Sequence, residues 1–375
     1  MHRNLFIRSG LTIGMLKNIY YKFLIFFFIG LASINAKESL KESASGDNLK
    51  AEIKEYILHH LQDNHNFNLL SYTNKQGEKV HVGAPLPVIL WDEGLKIFSS
   101  SKLHHGESVA HVGENYYKLD HGKIYKTDSE GTINYDSQHN ATNVAPLDLS
   151  ITKGVVSLLF TALMMFFLFK GLADSYKKNG LVATGIGRYF EPIVIYIRDE
   201  IAIPNIGEKH HRKFMGYLLT LFFFVWFLNL LGLTPLGINV TGNIAVTFCL
   251  ALITFVITNV SGKKEYWKHI FWMPGVPWPM KIVLAPIEFL GVLIKPFSLM
   301  IRLYANITAG HIVLMSLISL IFVFKNFIGS SLSFMLAFSI SIIEILVAAL
   351  QAYIFTVLSA LYFGFAVEEH DHDDH

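Results

Sequence analysis

The sequence predicts an all-α membrane protein of about five transmembrane helices, the last two long, strongly tilted and antiparallel, preceded by a small α+β extracytoplasmic domain. Three observations predict it. Of 375 residues, 52% are hydrophobic and only 16% are charged, the balance of an integral membrane protein. After residue 150 the apolar residues gather into long runs, two of them much longer than one bilayer crossing. Between residues 37 and 149 the chain is polar instead, with short strand-like runs separated by turn signals.

Residues 1–36 read as a secretory signal peptide. Arg3, Arg8, Lys17 and Lys22 precede an apolar run that starts at Phe23 and closes in Ala-Ser-Ile-Asn-Ala36. That run is about a dozen residues long, short for a span. An uncleaved anchor helix is the other reading, because Ile34 is only a fair residue three back from a cleavage point; Met15 is an alternative start.

Residues 37–149 form the extracytoplasmic domain. Ile53, Tyr56, Ile57 and Leu61 recur at helical spacing and predict one amphipathic helix over 49–63. Strands are expected at 79–82, 87–91, 116–119 and 123–126, with Asp92-Glu93-Gly94 and His121-Gly122 as turns. Nine histidines fall in this segment, but no spacing matches a metal-ligand motif, and they are expected to be solvated surface groups. The acidic-histidine tail over 368–375 is read in the same way, as a solvated end that keeps the last helix from sliding into lipid. No metal or cofactor is expected. Cys249, the single cysteine, excludes an intramolecular disulfide and reads as a small buried apolar side chain.

The membrane domain, residues 150–375, opens with spans at 155–172, 214–233 and 243–260. The loop after the first span carries Lys177, Lys178, Arg188, Arg198, Lys209, Arg212 and Lys213, and that after the third carries Lys263, Lys264, Lys268 and Lys281. The loop between the second and third spans is uncharged over 237–242. Basic loops face the cytoplasm, which puts the N-terminal domain outside and the C-terminus in the cytoplasm. The localisation expected is the cell inner (plasma) membrane. A net charge of +2, with no basic helix, gives no support for nucleic-acid binding.

The remaining apolar stretches, 282–324 and 331–367, are too long. A helix over the first would run on the order of 65 Å, twice the ~30 Å of hydrocarbon. Two upright spans in each would need a central turn, and Ala309-Gly310 is followed at once by more apolar sequence. Two long, tilted, antiparallel helices joined by a short loop over 325–330 fit better. Lipid alone gives no reason for such a tilt, so a large curved partner is implied.

Arg302 lies within the first of these helices. A guanidinium keeps its proton at any physiological pH, and its insertion at membrane depth costs at least ~2.5–3.5 kcal/mol. At 100° per residue, Glu288, Ser298 and Asn306 all fall within about 40° of Arg302 and form one polar stripe. His311 falls on the opposite azimuth and serves a different cavity unless the helix twists at Gly310. On the second helix Glu344 and Gln351 share a face among small residues including Ser341, Ala348 and Ala352. Taken singly, Ser298, Asn306 and Gln351 read as helix-to-helix glue, and His311 with Glu344 as a buried structural pair. Four ionisable groups in two adjacent helices instead mark an ion path. Asn306-Ile307-Thr308 matches a glycosylation sequon, discounted at membrane depth.

The run from Lys295 to His311 (KPFSLMIRLYANITAGH) resembles the signature of subunit a of the F-type ATP synthase membrane sector. So do the run over 344–355 in the last helix and Asn229-Leu-Leu-Gly-Leu-Thr-Pro235 at the end of the second span. The resemblance covers about 149–370. It implies that Arg302 is the family's essential arginine, that Asn306 and Gln351 are its polar neighbours, and that His311 and Glu344 are the pair on the outer half-channel. Glu288 matches an acidic position on the cytoplasmic half-channel. Some members carry the imidazole and carboxylate at exchanged positions; here the imidazole shares a helix with Arg302. The implied partners are a ring of c subunits carrying a membrane carboxylate, peripheral-stalk b subunits, protons and the lipid bilayer. The implied role is a channel subunit of a multisubunit ATP synthase, itself neither an enzyme nor a nucleotide binder; no Gly-rich phosphate loop is present. The domain before residue 149 is longer than the family's usual N-terminus, and its role is not inherited. The alternative is a proton-coupled secondary transporter with Arg302 as counter-ion, which would call for an internal repeat that the sequence does not display.

Overall fold

A computed structural model describes residues 63–73, 79–106, 108–138, 140–180, 184–185, 187–234, 238–273, 275–324 and 327–368. The expected signal peptide, most of the amphipathic helix over 49–63 and the acidic-histidine tail beyond 368 lie outside them. The chain divides into two compact units, one made mainly of residues 65–150 and one of the helices that follow.

The first unit is built from antiparallel strands. β1 (Asn66–Thr73) pairs with β2 (Lys79–Pro85). β3 (Pro87–Trp91) sits between β4 (Leu95–Ser99) and β8 (Leu147–Asp148). β6 (Asn115–Asp120) lies between β5 (Ala110–Val112) and β7 (Lys123–Thr127). The expected strand at 87–91 has those bounds, and those at 79–82, 116–119 and 123–126 extend slightly further. Val88, Leu90, Phe98, Leu103, Ala110, Tyr117 and Ile124 form the core. At its edge Asp92 accepts a 2.8 Å hydrogen bond from the Tyr117 hydroxyl and pairs with Lys126 at 3.2 Å. Burial pushes the Asp92 carboxyl up, but the Tyr117 and Lys126 contacts outweigh it and hold the group below its ordinary range. Among the described histidines of this segment, His65 departs from the surface reading. His65 is buried and its Nε2 lies 2.8 Å from Asp148 Oδ2, a partner that the local sequence gives no hint of.

Among its described residues, the second unit contains five helices long and apolar enough to cross a membrane. The first, α1 (Lys153–Asn179), begins where the Thr152 hydroxyl accepts from Val155 N, and ends at Gly180, whose φ of 72° suits glycine. It outruns the expected span at its C-terminal end, where polar residues continue the helix. The basic loop that follows is largely helical too: α2 (Gly187–Tyr196), a π-helical segment Ile197–Ala202 and the short α3 (Ile203–Ile206). α4 (His211–Gly232) and α5 (Ile244–Ser261) are the next spans. Asn243 caps α5 by accepting from Ala245 N at 3.0 Å. A further short helix, α6 (Lys264–Phe271), occupies the second basic loop.

The last two helices are α7 (Trp278–Val323), of 46 residues, and α8 (Phe327–Val367), of 41. α8 starts earlier than expected, so the join is shorter than the loop proposed over 325–330. α7 stays helical through Pro286 and Pro296. Each removes one donor and frees the carbonyl four residues back, a loss that packed neighbours make tolerable in membrane helices. At 1.5 Å per residue α7 is about 69 Å long, more than twice the ~30 Å of hydrocarbon. Contacts fix the antiparallel pairing: Ser330 Oγ donates to Ile321 O, Gly310 abuts Glu344, and Lys295 lies over the Tyr362 ring.

The core of this unit lies between α4 and α8. Phe214 stacks on Phe363 with ring centroids 4.6 Å apart, and Leu218, Phe223 and Leu228 fill in beside small Ala348, Ala352 and Ala360. Small residues let the two backbones approach. Cys249, by contrast, is exposed. The expectation of a buried thiol fails because α5 buries a different face, marked by Thr247, Ala251, Thr254 and Thr258.

Candidate functional site

Arg302 is half-buried on α7, beside exposed Ile301, Ala305 and Asn306. Its side chain therefore borders the open face of the two long helices. Among the described residues it has no ion pair with any carboxylate of this chain. An unneutralised guanidinium in an apolar setting is a site awaiting a negative partner.

Polar groups lie on either side of it along the helix. Eight residues beyond Arg302, a Cβ added to Gly310 would lie 2.5 Å from Glu344 Oε1, so the carboxyl fits where a side chain is missing. Glu344 is buried, and among the described residues its Oε2 has no hydrogen-bond partner. Two turns on, Gln351 is buried on the same face of α8, as the sequence spacing predicts. Asn229 of α4, 2% exposed, donates to the Ala348 carbonyl at 3.4 Å and keeps its own Oδ1 unpartnered. Thr308 Oγ1 is likewise buried without a partner. His311 neighbours Gly310 in sequence but makes no direct hydrogen bond or ion pair with Glu344. Each such orphaned oxygen in an apolar setting is a seat for water or a mobile proton.

Seven residues before Arg302 stands a second polar cluster. Lys295 Nζ lies 5.1 Å from the Tyr362 ring centroid and 5.8 Å from that of Phe365. A small cavity there is lined by Thr254, Thr258, Asn259, Tyr266, Lys295 and Tyr362, with apolar neighbours. Tyr266 donates to Asn259 Oδ1 at 3.3 Å, and the Tyr217 and Thr254 hydroxyls are 2.7 Å apart. Glu288, half-buried, lies two turns further along the same helix. By helical rise each cluster is roughly 11–12 Å from the Arg302 level, one on each side. Ser298, also half-buried, lies between Lys295 and Arg302.

Asn229, Thr254, Thr258, Asn259, Lys295 and Tyr362 are missed as site residues by sequence reasoning. A signal exists for the threonines, which stand four apart on a single face of an apolar span. A threonine there also satisfies itself by donating to the carbonyl four residues back, as Thr258 does to Thr254 O at 2.8 Å. That makes the pattern ambiguous.

Comparison with known proteins bears on what this geometry is for. The family model described as "ATP synthase A chain" matches residues 155–364. A second model, described only as a domain of unknown function, matches residues 56–149. ATP synthase subunit a 2 of Chlorobaculum tepidum is 44% identical over 241 residues, covering 62% of this chain and 68% of that protein. The Myxococcus xanthus subunit a is 44% identical over 238 residues, covering 61% of this chain and 77% of its own length. The subunit a of Chlorobium phaeobacteroides strain BS1 is 36% identical over 328 residues, 79% of this chain and 96% of that protein. With more than half of its length matched by the family model and these relatives alongside, the chain belongs to the subunit a family of the F-type ATP synthase.

Proposed function

We propose that this multi-pass membrane-sector subunit is the stator against which a ring of c subunits turns, and that Arg302 separates two offset half-channels. The observation that carries the reading is the position of Arg302, half-exposed and without a carboxylate partner among the described residues, between two polar clusters on opposite sides of its level.

In this mechanism protons enter from the outer side through a cleft lined by His311, Glu344, Asn306, Gln351 and Asn229. His311 and Glu344, bridged by water, hand a proton on as a coupled pair. A ring carboxylate takes it, becomes neutral, and faces lipid at little cost. After nearly a full turn that group reaches the other side of Arg302 and releases its proton towards Ser298, Lys295 and Glu288. The guanidinium then favours the ionised carboxylate. Because Arg302 cannot give up its own proton, it blocks a direct leak between the clefts. Each proton falling through ~100 mV supplies ~2.3 kcal/mol to rotation. The long helices lie inclined around the ring, which supplies the curved partner their length calls for. Peripheral-stalk b subunits hold the assembly still, with the outer domain outside and the C-terminus in the cytoplasm.

The test is Arg302→Ala in the assembled complex. Proton-driven ATP synthesis is expected to vanish while the ring and stalk still co-purify with the variant. Near-normal synthesis by that complex would sink the reading.

A further inference from the structure

Among the described residues, one face of the sheet β4-β3-β8 has nothing packed on it. Val88, Leu90 and Phe98 point into the domain core. The alternate residues point the other way and are held together by register: Trp91 stands opposite both Leu95 and Leu147, and Ile89 opposite Ile97. Leu149 extends the row, its N–H donating to the Ile89 carbonyl at 2.9 Å. Trp91 is 57% exposed, Leu95 55%, Ile97 60%, Leu147 62% and Leu149 55%. An antiparallel sheet that faces water on one side alternates apolar with polar residues. Here both faces are apolar, and the outward one carries no charged side chain. A contiguous patch of that kind on a small domain marks a contact surface.

We propose that this face rests on the bilayer, in the leaflet from which α1 descends. The tether is the first argument. Leu149 lies four residues before Lys153, where α1 begins, and four residues span at most ~14 Å. The other chain connection is fastened at the same level: Asp63 accepts from Gly154 N at 2.9 Å and from the Thr152 hydroxyl at 2.7 Å. Both connections thus leave from the first turn of a membrane span, which keeps the Leu147–Leu149 edge within reach of the headgroup layer. Composition is the second argument. A tryptophan amid leucine and isoleucine is the make-up of an interfacial anchor, its ring seated at headgroup depth with the aliphatic residues reaching the acyl boundary. Lipid asks for no hydrogen-bonding complement, and apart from the Trp91 indole N–H the exposed apolar row offers none. The turn Asp92-Glu93-Gly94 closes the hairpin outside the row, with the Asp92 carboxylate held by Tyr117 and Lys126. The domain thereby rests on the membrane through this sheet face, a role independent of which side of the membrane it occupies.

Nitroxide accessibility in the full chain tests this. In a Cys249→Ala background reconstituted into phosphatidylcholine–phosphatidylglycerol nanodiscs, spin labels are placed by Ile97→Cys, Leu147→Cys and, as an exposed control, Glu130→Cys. The expected result is a several-fold higher ratio of oxygen to nickel-chelate collisions at positions 97 and 147 than at 130. Water-like ratios at 97 and 147 would overturn the proposal. So would low accessibility to both reagents, which would mean a protein cover: a second copy, another subunit or residues 37–62 of this chain. A second measurement avoids labelling. Tryptophan quenching by lipids carrying a doxyl group high on the acyl chain should fall on Trp91→Phe, and an unchanged quenching would count against the bilayer.

Discussion

Gly310 on α7 and Glu344 on α8 are fitted to one another: a single added carbon at Gly310 would stand 2.5 Å from the Glu344 Oε1 atom. No side chain can occupy that place without moving the carboxyl. Glu344 Oε2 is meanwhile buried and unpartnered, a condition worth about 1–3 kcal/mol unless water or a proton relieves it. Gly310→Ala is therefore expected to leave assembly intact while it turns Glu344 out of its seat. Since ångström-scale displacement of a reacting group costs up to ~100-fold, proton flux should fall on the order of ten- to a hundredfold. Acidification of vesicles under an imposed potential measures it. Wild-type flux in Gly310→Ala would show that the carboxyl position is immaterial.

The lack of a direct His311–Glu344 bond shapes a second expectation. If the two act as one titrating pair through water, exchanging them preserves the pair, whereas neutralising either one destroys it. His311→Glu combined with Glu344→His should retain more ATP-driven proton pumping than His311→Ala or Glu344→Gln alone. Equal loss in all three would separate the residues functionally.

The spans were legible because roughly twenty apolar residues in a row have few other uses, and Arg302 was legible because its charge is costly there. The stripe of Glu288, Ser298 and Asn306 followed from helical periodicity alone. What a single chain reading could not contain is the pairing of one helix with another. That Glu344 meets Gly310, and that Asn229 reaches the Ala348 carbonyl, depends on axial registers no local pattern encodes. α2 and α6 were hidden for another reason. Their basic residues read as loop, and tertiary packing overrode those local preferences. His65 looked like one more surface histidine because its partner Asp148 is 83 residues away.

Gly364 offers a stability test. A Cβ there would run into the backbone carbonyl of Asn205, which cannot swing aside as a side chain can. α8 passes α3 at that point only because glycine leaves the space. Gly364→Ala is expected to cost about 1–3 kcal/mol through backbone displacement, and Gly364→Leu more. Thermal aggregation of the detergent-solubilised chain reads the effect. A midpoint unchanged in both variants would mean that the two helices slide apart freely.

Asp148 makes the outer domain acid-sensitive. Burial pushes its carboxyl up from the ordinary 3.8, but the hydrogen bonds from His65 and Ser150 outweigh that and leave it lowered. A carboxyl depressed in the folded state binds its proton less readily there than in the unfolded chain. Its contribution is thus present above the unfolded value and drains away as the pH falls through the folded one. The β3–β8 contact, where Asp148 pairs with Leu90, should loosen in that acid window. Limited acid proteolysis of the full chain in membranes, with a protease active below pH 4, is expected to cut near residues 147–150 faster as pH drops. In Asp148→Asn the cutting rate should already be raised at higher pH and should vary less with acidity, because the titrating group is gone. An equally steep acid dependence in the variant would assign the effect to other carboxylates, Asp92 first among them, which the Tyr117 and Lys126 contacts also hold low.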